Sequence, residues 1–229
     1  LLAHSAGPSV ATAFLAGRSA AWKASHIHSL IVLNGNLGGE IDCLENLWHG
    51  GDFLNMAEGV TSWPTAHYRR VAQWSWPITA WCMPSPQLYG TQTLVTLGAT
   101  SYSAHQLGSL FARFGAGGSL LQMWQHVRHL YAQTLADPNV DVACLYGTNV
   151  PTPLHYVFAP GNTSAPESTV FGSGDGQQDD KTNTACARWS RSRWVRGFGG
   201  ADHDSLLADP RALRMLLDDV LHLHPPQQA

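Results

Sequence analysis

The chain has 229 residues, 44% of them hydrophobic and 10% aromatic, enough to bury a sizeable core, which excludes an intrinsically disordered or fibrous chain. Only 13% are charged, and 13 Lys and Arg against 16 Asp and Glu leave a formal net charge of -3, so no electrostatic footprint for nucleic acid exists. Apolar runs such as Leu30 to Leu33 fall far short of the roughly 18 residues a membrane span needs, and no charged start followed by an apolar stretch marks a signal peptide.

The chain opens with Leu1-Leu2-Ala3, which reads as the end of a buried strand. His4-Ser5-Ala6-Gly7-Pro8 follows as a sharp turn, and an Ala-rich stretch with Val10, Phe14 and Leu15 as a helix with Pro in its first turn. His28 to Leu33 is a β-branched run ending at Asn34-Gly35-Asn36, a buried strand followed by a loop and a natural parallel partner for the first. From Glu40 to Ala132 the pattern loosens into Trp-rich segments broken by Pro64, Pro77, Pro84 and Pro86, with one amphipathic helix around Ser103 to Phe114; this reads as an inserted helical cap. Val140 to Tyr146 resumes the sheet, and Pro160 to Asn183, rich in Gly, Ser, Thr, Asp and Gln, reads as one long loop. Trp194 to Phe198 is expected as the last strand, and Asp209-Pro210 opens a final helix to about Leu223, before a Pro-Pro-Gln-Gln-Ala tail. The chain thus divides into core (1–39), cap (40–132) and core (133–229).

Ala3-His4-Ser5-Ala6-Gly7 is a small-x-Ser-x-small string, the pattern of a nucleophile elbow, where a tight strand-to-helix turn tolerates only small neighbours and presents the hydroxyl. The backbone N–H of Ala6 then faces a developing oxyanion. The plainer reading of Ser5 is a helix N-cap. A nucleophilic serine needs a base and an orienting acid, which in α/β-hydrolases follow in the order Ser, acid, His. Asp175 stands in Gly172-Ser173-Gly174-Asp175-Gly176, and His203 in Gly200-Ala201-Asp202-His203 before the last helix. Asp179, Asp180 and Asp202 stay open as the acid. His26-x-His28, His126-x-x-His129 and His222-x-His224 lack a partner set to complete a metal site, and the four cysteines show no C-x-x-C spacing, so no metal and no cofactor are expected. The tryptophans, Trp22, Trp48, Trp63, Trp74, Trp76, Trp81 and Trp124 among them, have core packing as their default role, although an apolar cap also suits acyl chains.

These residues resemble the lecithin:cholesterol acyltransferase and lysosomal phospholipase A family. The resemblance rests on Ala3-His4-Ser5-x-Gly7, Ala21-Trp22-Lys23, Gly38-Gly39, Ala80-Trp81 with Pro84, Cys144-Leu145-Tyr146-Gly147-Thr148-x-Val150-Pro151-Thr152-Pro153, Gly174-Asp175-Gly176, Cys186-x-x-Trp189 and His203. It implies an α/β-hydrolase fold, a mostly parallel sheet flanked by helices, with the cap inserted and the early strands, second oxyanion donor and lid missing ahead of the elbow. It also implies a Ser5, Asp175, His203 triad with Ala6 where the family's Met supplies one oxyanion amide. The expected activity is acyl transfer from a glycerophospholipid ester, at a membrane or lipoprotein surface, to water or a lipid alcohol. The alternative is a non-catalytic lipid-binding protein of the same fold.

Cys144 and Cys186 fall on a family disulfide, with Cys43 and Cys82 left reduced or unpaired. The bridge and the Asn162-Thr163-Ser164 glycosylation acceptor place the expected protein in the secretory pathway, lysosome, vacuole or extracellular space. Two stretches depart from the family: its Gly-Ala-Pro-Trp-Gly-Gly stands here as Asn34-Gly35-Asn36-Leu37-Gly38-Gly39, and its Gly-Asp-Gly-Thr-Val as Gly174-Asp175-Gly176-Gln177-Gln178.

Overall fold

A computed structural model describes residues 1–50 and 66–222. Trp63, Pro64 and the Pro-Pro-Gln-Gln-Ala tail lie outside the described residues, as does Leu223, the expected end of the last helix. The chain forms two compact units, one of residues 1–37, 133–152 and 172–229, the other of residues 38–132 and 153–171. Strands along the chain are β1 (Leu2–Ser5), β2 (Leu30–Gly35), β3 (Thr93–Leu97), β4 (Thr100–Ser103), β5 (Val142–Thr148), β6 (Val150–Phe158), β7 (Ser168–Gly174) and β8 (Ser192–Gly199).

The first unit is built on a four-stranded sheet in the order β1-β2-β5-β8, and each neighbouring pair is parallel. Side chains alternate across a strand, and here both faces are apolar. Leu30 and Val32 of β2, with Val142 and Cys144 of β5, enter one core along with Leu15 and Trp189. Ile31 and Leu33, with Ala143 and Leu145, enter a second core with Ala212, Leu216 and Val220. A parallel sheet covered on both sides by helices is the α/β fold expected from the sequence. Helix α1 (Gly7–Ala16) follows β1 with Pro in its first turn. Helix α2 (Ala20–His26) is capped by Ser19, whose side chain accepts the Trp22 N–H.

The second unit has a sheet of its own, ordered β4-β3-β6-β7. β3 and β4 form an antiparallel hairpin and β3 runs parallel to β6. The turn is Gly98-Ala99, and Gly98 takes φ +60, the positive-φ position that a two-residue hairpin reserves for glycine. The core of this unit is aromatic: the Trp48 ring meets Tyr156 at 4.8 Å and Phe158 at 5.0 Å, and Phe114 meets Phe158 at 5.2 Å between centroids. Helices Leu107–Arg113 and Ser119–Val127 add Leu110, Phe111 and Trp124 to it. Trp48 and Trp124 are buried, and Trp74 and Trp81 pack against the same cluster, so these tryptophans serve packing.

Two readings are corrected. The inserted stretch is not a purely helical cap, because it carries the sheet just described, and its unit takes in residues 153–171 as well. Residues 160–183 are not a single loop, because they contain β7 and a helical turn at Asp180–Asn183. β7 escapes a hydrophobic-pattern search because Val170 and Phe171 are exposed. That strand and β6 carry the chain from the first unit into the second and back.

Cys144 on β5 and Cys186 are joined by a disulfide, with Cα atoms 5.7 Å apart and a sequence separation of 42. Closing a loop of that length withdraws about 4 kcal/mol of chain entropy from the unfolded state. Cys144→Ser with Cys186→Ser is therefore expected to lower the thermal midpoint by about 10 °C, read by circular dichroism; an unchanged midpoint contradicts the assignment of a stabilising role.

Candidate active site

Ser5 ends β1 and enters α1 with φ +60, a left-handed conformation that costs a residue with a Cβ about 1–2 kcal/mol. Strain of this kind persists only where the surroundings enforce it. Here Asn36 N donates to Ser5 O at 2.7 Å, and the β1–β2 register slips between His4 and Ser5. Ala6 follows as the N-cap of α1, with no side-chain cap.

His203 lies in the segment after β8. Its Nε2 is 3.0 Å from Ser5 Oγ, and its Nδ1 is 3.0 Å from Asp175 Oδ2. Asp175 is fully buried and His203 nearly so. The other carboxylate oxygen of Asp175 accepts Gln177 N at 3.0 Å and Gln178 N at 2.7 Å, so the charge is compensated on both oxygens. The acid's backbone is fixed as well: Asp175 N donates to Gln178 O at 3.1 Å, and Gly176 N to Thr152 Oγ1 at 2.8 Å. Gly147 on β5 makes room for this packing, since a Cβ there would stand 2.1 Å from Ala201 O and 3.1 Å from Asp175 Cβ.

The other candidate acids are engaged elsewhere. Asp179 caps the turn at Asp180–Asn183 by accepting Thr182 N at 3.0 Å. Asp180 accepts the Thr148 hydroxyl at 2.9 Å, and Asp202 accepts Ser205 N at 2.7 Å. Of the four aspartates read as candidate acids, Asp175 is the one whose carboxylate meets His203.

Two residues the sequence analysis passed over hold His203 in place. Asn34, fully buried at φ +43, donates from Nδ2 to His203 O at 2.9 Å and accepts Gly147 N on Oδ1 at 2.7 Å. His4 Nε2 lies 2.9 Å from the same His203 carbonyl, with its ring 4.6 Å from the His203 ring. Burial holds the His4 imidazole below its ordinary range, outweighing the bond to the His203 carbonyl that raises it, so at neutral pH a neutral ring donates this bond. The only trace of Asn34 in the sequence is an Asn-Gly after a β-branched run, which reads as a turn. Asparagine tolerates the left-handed region better than other residues with a Cβ, which lets it stand where the family carries Gly.

The histidines at His26 and His28 serve locally. His26 Nδ1 meets Trp22 O at 2.9 Å while its ring stacks on Trp22, and His28 Nδ1 meets Ser29 Oγ at 3.2 Å. Asn162 is exposed in a turn after β6 where its Oδ1 accepts Ser164 N at 2.9 Å.

Residues 112–197 match the model of the lecithin:cholesterol acyltransferase family. The chain is 27% identical over 221 residues to the human protein named lysosomal phospholipase A and acyltransferase, covering 94% of this chain and 52% of that one. To the rice protein named lecithin-cholesterol acyltransferase-like 1 it is 25% identical over 190 residues, 83% of this chain and 42% of the relative. To the chicken phosphatidylcholine-sterol acyltransferase it is 23% identical over 209 residues, 89% and 49% of the two chains. The chain therefore spans about half the length of the curated relatives it matches, and the resemblance read from its motifs is borne out. The matched segment contains Cys144, Asp175 and Cys186; Ser5 and His203 lie outside it.

Two outcomes follow from the clamp on His203. Asn34→Gly keeps the backbone geometry but leaves the buried Gly147 N–H without its acceptor and the His203 carbonyl with His4 alone, a loss of about 2 kcal/mol; Asn34→Ala adds about 1 kcal/mol of left-handed strain and is the less stable of the two, reversing the usual order. Denaturant midpoints of both variants test this, and an alanine variant as stable as the glycine one refutes it. For His4, the unfolded ring at 6.5 binds protons more readily than the folded one. Its contribution to stability is complete above that value and is lost as pH falls through the lowered folded value. Denaturant midpoints from pH 7.5 to 5 should therefore fall more steeply for the native chain than for His4→Asn; equal slopes count against it.

Proposed function

We propose that this chain performs serine-dependent acyl transfer from glycerophospholipid esters to water or a lipid alcohol. One observation carries the reading: the unbroken line from the Ser5 hydroxyl through His203 to the buried Asp175, both contacts at 3.0 Å, with the serine strained toward exposure at φ +60. A lipid-binding protein without chemistry has no need to bury a carboxylate against an imidazole at the tip of a strained serine turn. The names of the relatives, which join phospholipase A or sterol with acyltransferase, support a phospholipid as the acyl donor.

In this mechanism the carboxylate holds the His203 Nδ1 proton, which fixes the tautomer with a basic Nε2 facing Ser5. As Ser5 Oγ attacks the ester carbonyl carbon, its proton passes to His203 Nε2. The imidazolium is stabilised by Asp175 without taking its proton. The carbonyl oxygen becomes an oxyanion that the Ala6 N–H meets, a donor worth about 3 kcal/mol in such sites. Because this donor is backbone, alanine in place of the family's Met keeps it. The intermediate collapses as His203 protonates the leaving lysophospholipid alkoxide, and the acyl group stays as an ester on Ser5. Water or an alcohol then delivers its proton to His203 and attacks that ester, which returns Ser5 to the free hydroxyl. The disulfide and the exposed Asn162 acceptor fit a luminal or secreted setting.

Ser5→Ala is expected to abolish labelling by a fluorophosphonate probe. Asp175→Asn is expected to cut turnover on phospholipid vesicles on the order of 10⁴-fold while leaving vesicle binding intact. Products resolved with and without an added lipophilic alcohol separate hydrolysis from transacylation. Undiminished labelling of the alanine variant, or turnover unaffected by the asparagine variant, overturns the reading; binding of vesicles with neither labelling nor turnover favours the lipid-binding alternative.

A further inference from the structure

The second unit contains a cluster that acyl transfer does not use. The segment Gly38-Gly39-Glu40 runs tightly against Cys82-Met83-Pro84-Ser85. Glu40 N donates to Cys82 O at 2.9 Å and Ser85 N to Gly38 O at 2.9 Å. Gly39, at φ +87, lies so close that a Cβ would stand 2.0 Å from Met83 O. One turn after Glu40, at the start of the 3-10 helix Asp42–Leu47, Cys43 points back at it, with Sγ 3.2 Å from Glu40 Oε1. On the other side, the Tyr131 hydroxyl donates to Met83 O at 2.7 Å and to Ala80 O at 3.1 Å, pinning the backbone on both flanks of Cys82. Three segments far apart in sequence are thus held so that Glu40, Cys43 and Cys82 each present one donor atom, all within 4.8 Å of one another. Glu40 and Cys82 are buried and Cys43 is half-buried.

We propose that Glu40, Cys43 and Cys82 form a binding site for a single borderline-soft divalent cation, Zn²⁺ in the first instance, in the second unit. A tetrahedral zinc with Zn–S of about 2.3 Å and Zn–O of about 2.0–2.2 Å sets its donor atoms about 3.5–3.8 Å apart, a spacing the cluster reaches with small side-chain adjustments. Thiolate and carboxylate ligands suit zinc, whereas calcium and magnesium take oxygen alone. On binding, each thiol releases its proton to solvent as its Zn–S bond forms. The carboxylate adds the third bond and a water keeps the fourth position. Two thiolates and a carboxylate around Zn²⁺ leave one net negative charge where the apo site gathers three acidic groups. Zinc would then staple the Gly38–Glu40 segment to the Cys82 turn. In the same structure Cys144 and Cys186 are bonded while Cys43 and Cys82 remain thiols.

The test titrates the chain, isolated without reductant or chelator, with Co²⁺ alone. One equivalent is expected to produce thiolate-to-cobalt charge-transfer absorption with tetrahedral d–d bands, displaced by Zn²⁺, and Zn²⁺ is expected to raise the thermal midpoint. Cys43→Ser and Cys82→Ser should abolish the charge-transfer band. Glu40→Gln, which leaves both thiols in place and so reports even if the serine variants misfold, should weaken Co²⁺ binding by more than the roughly 10–100-fold that outer-shell partners cost. His203→Ala should keep the band, which separates this site from the histidines beside Ser5. The proposal is overturned by two free thiols that give no band, by a band that survives Cys43→Ser, or by mass spectrometry finding a Cys43–Cys82 disulfide in the isolated chain.

Discussion

A carboxylate with no solvent exposure is the constraint around which the first unit is arranged. A buried carboxylate needs every oxygen met, and the chain meets those of Asp175 with His203 on one side and two consecutive backbone N–H groups on the other. Each partner brings its own requirement. The N–H groups of Gln177 and Gln178 must turn inward, which a glycine on either side of Asp175 allows. The imidazole must arrive edge-on, which fixes the segment after β8. Gly147 must lack a side chain, because Ala201 O and Asp175 Cβ fill the space where one would be. The glycines that make these stretches look like plain turns in the sequence answer to this packing: Gly147 and Gly174 have no space for a Cβ, and Gly176 takes φ +99.

His203 is held by its backbone as much as by its ring. Asn34 and His4, from β2 and β1, both address the His203 carbonyl, while Asn34 also ties Gly147 of β5. Three neighbouring strands of the sheet thereby converge near one residue of the segment that follows the fourth. Rigid strand ends position reacting groups more accurately than loops do, and an error near 1 Å is costly in sites of this kind. The loop carrying His203 borrows that rigidity through hydrogen bonds.

What the sequence made legible follows from which signals are local. Ser5, Asp175 and His203 each sit among small residues, and that is a short-range pattern. The parallel sheet was legible because Leu30 to Leu33 is apolar on consecutive positions, as a strand covered on both faces requires. The choice among four aspartates was not, since it depends on where β6, β7 and the segment after β8 end. The second sheet was missed for separate reasons. β6 carries Pro151 and Pro153, which argue against a strand unless they fall where no ladder N–H is needed. β7 turns Val170 and Phe171 outward, so it lacks the alternation that reveals a half-buried strand. The Gly98-Ala99 turn between two β-rich runs was the available signal. Asn34 left almost none, because a clamp is defined by what it touches across 169 residues of chain.

The contact between Ser5 and His203 joins residues 198 positions apart. Contacts of such long range form after local ones, because a long loop must close before they are rewarded. The Ser5 hydroxyl is therefore made before the imidazole it meets. A chain that stops short of His203 has the serine but no imidazole to meet it. The order of the residues alone thus postpones the Ser5–His203 contact until β2, β5 and β8 have been made.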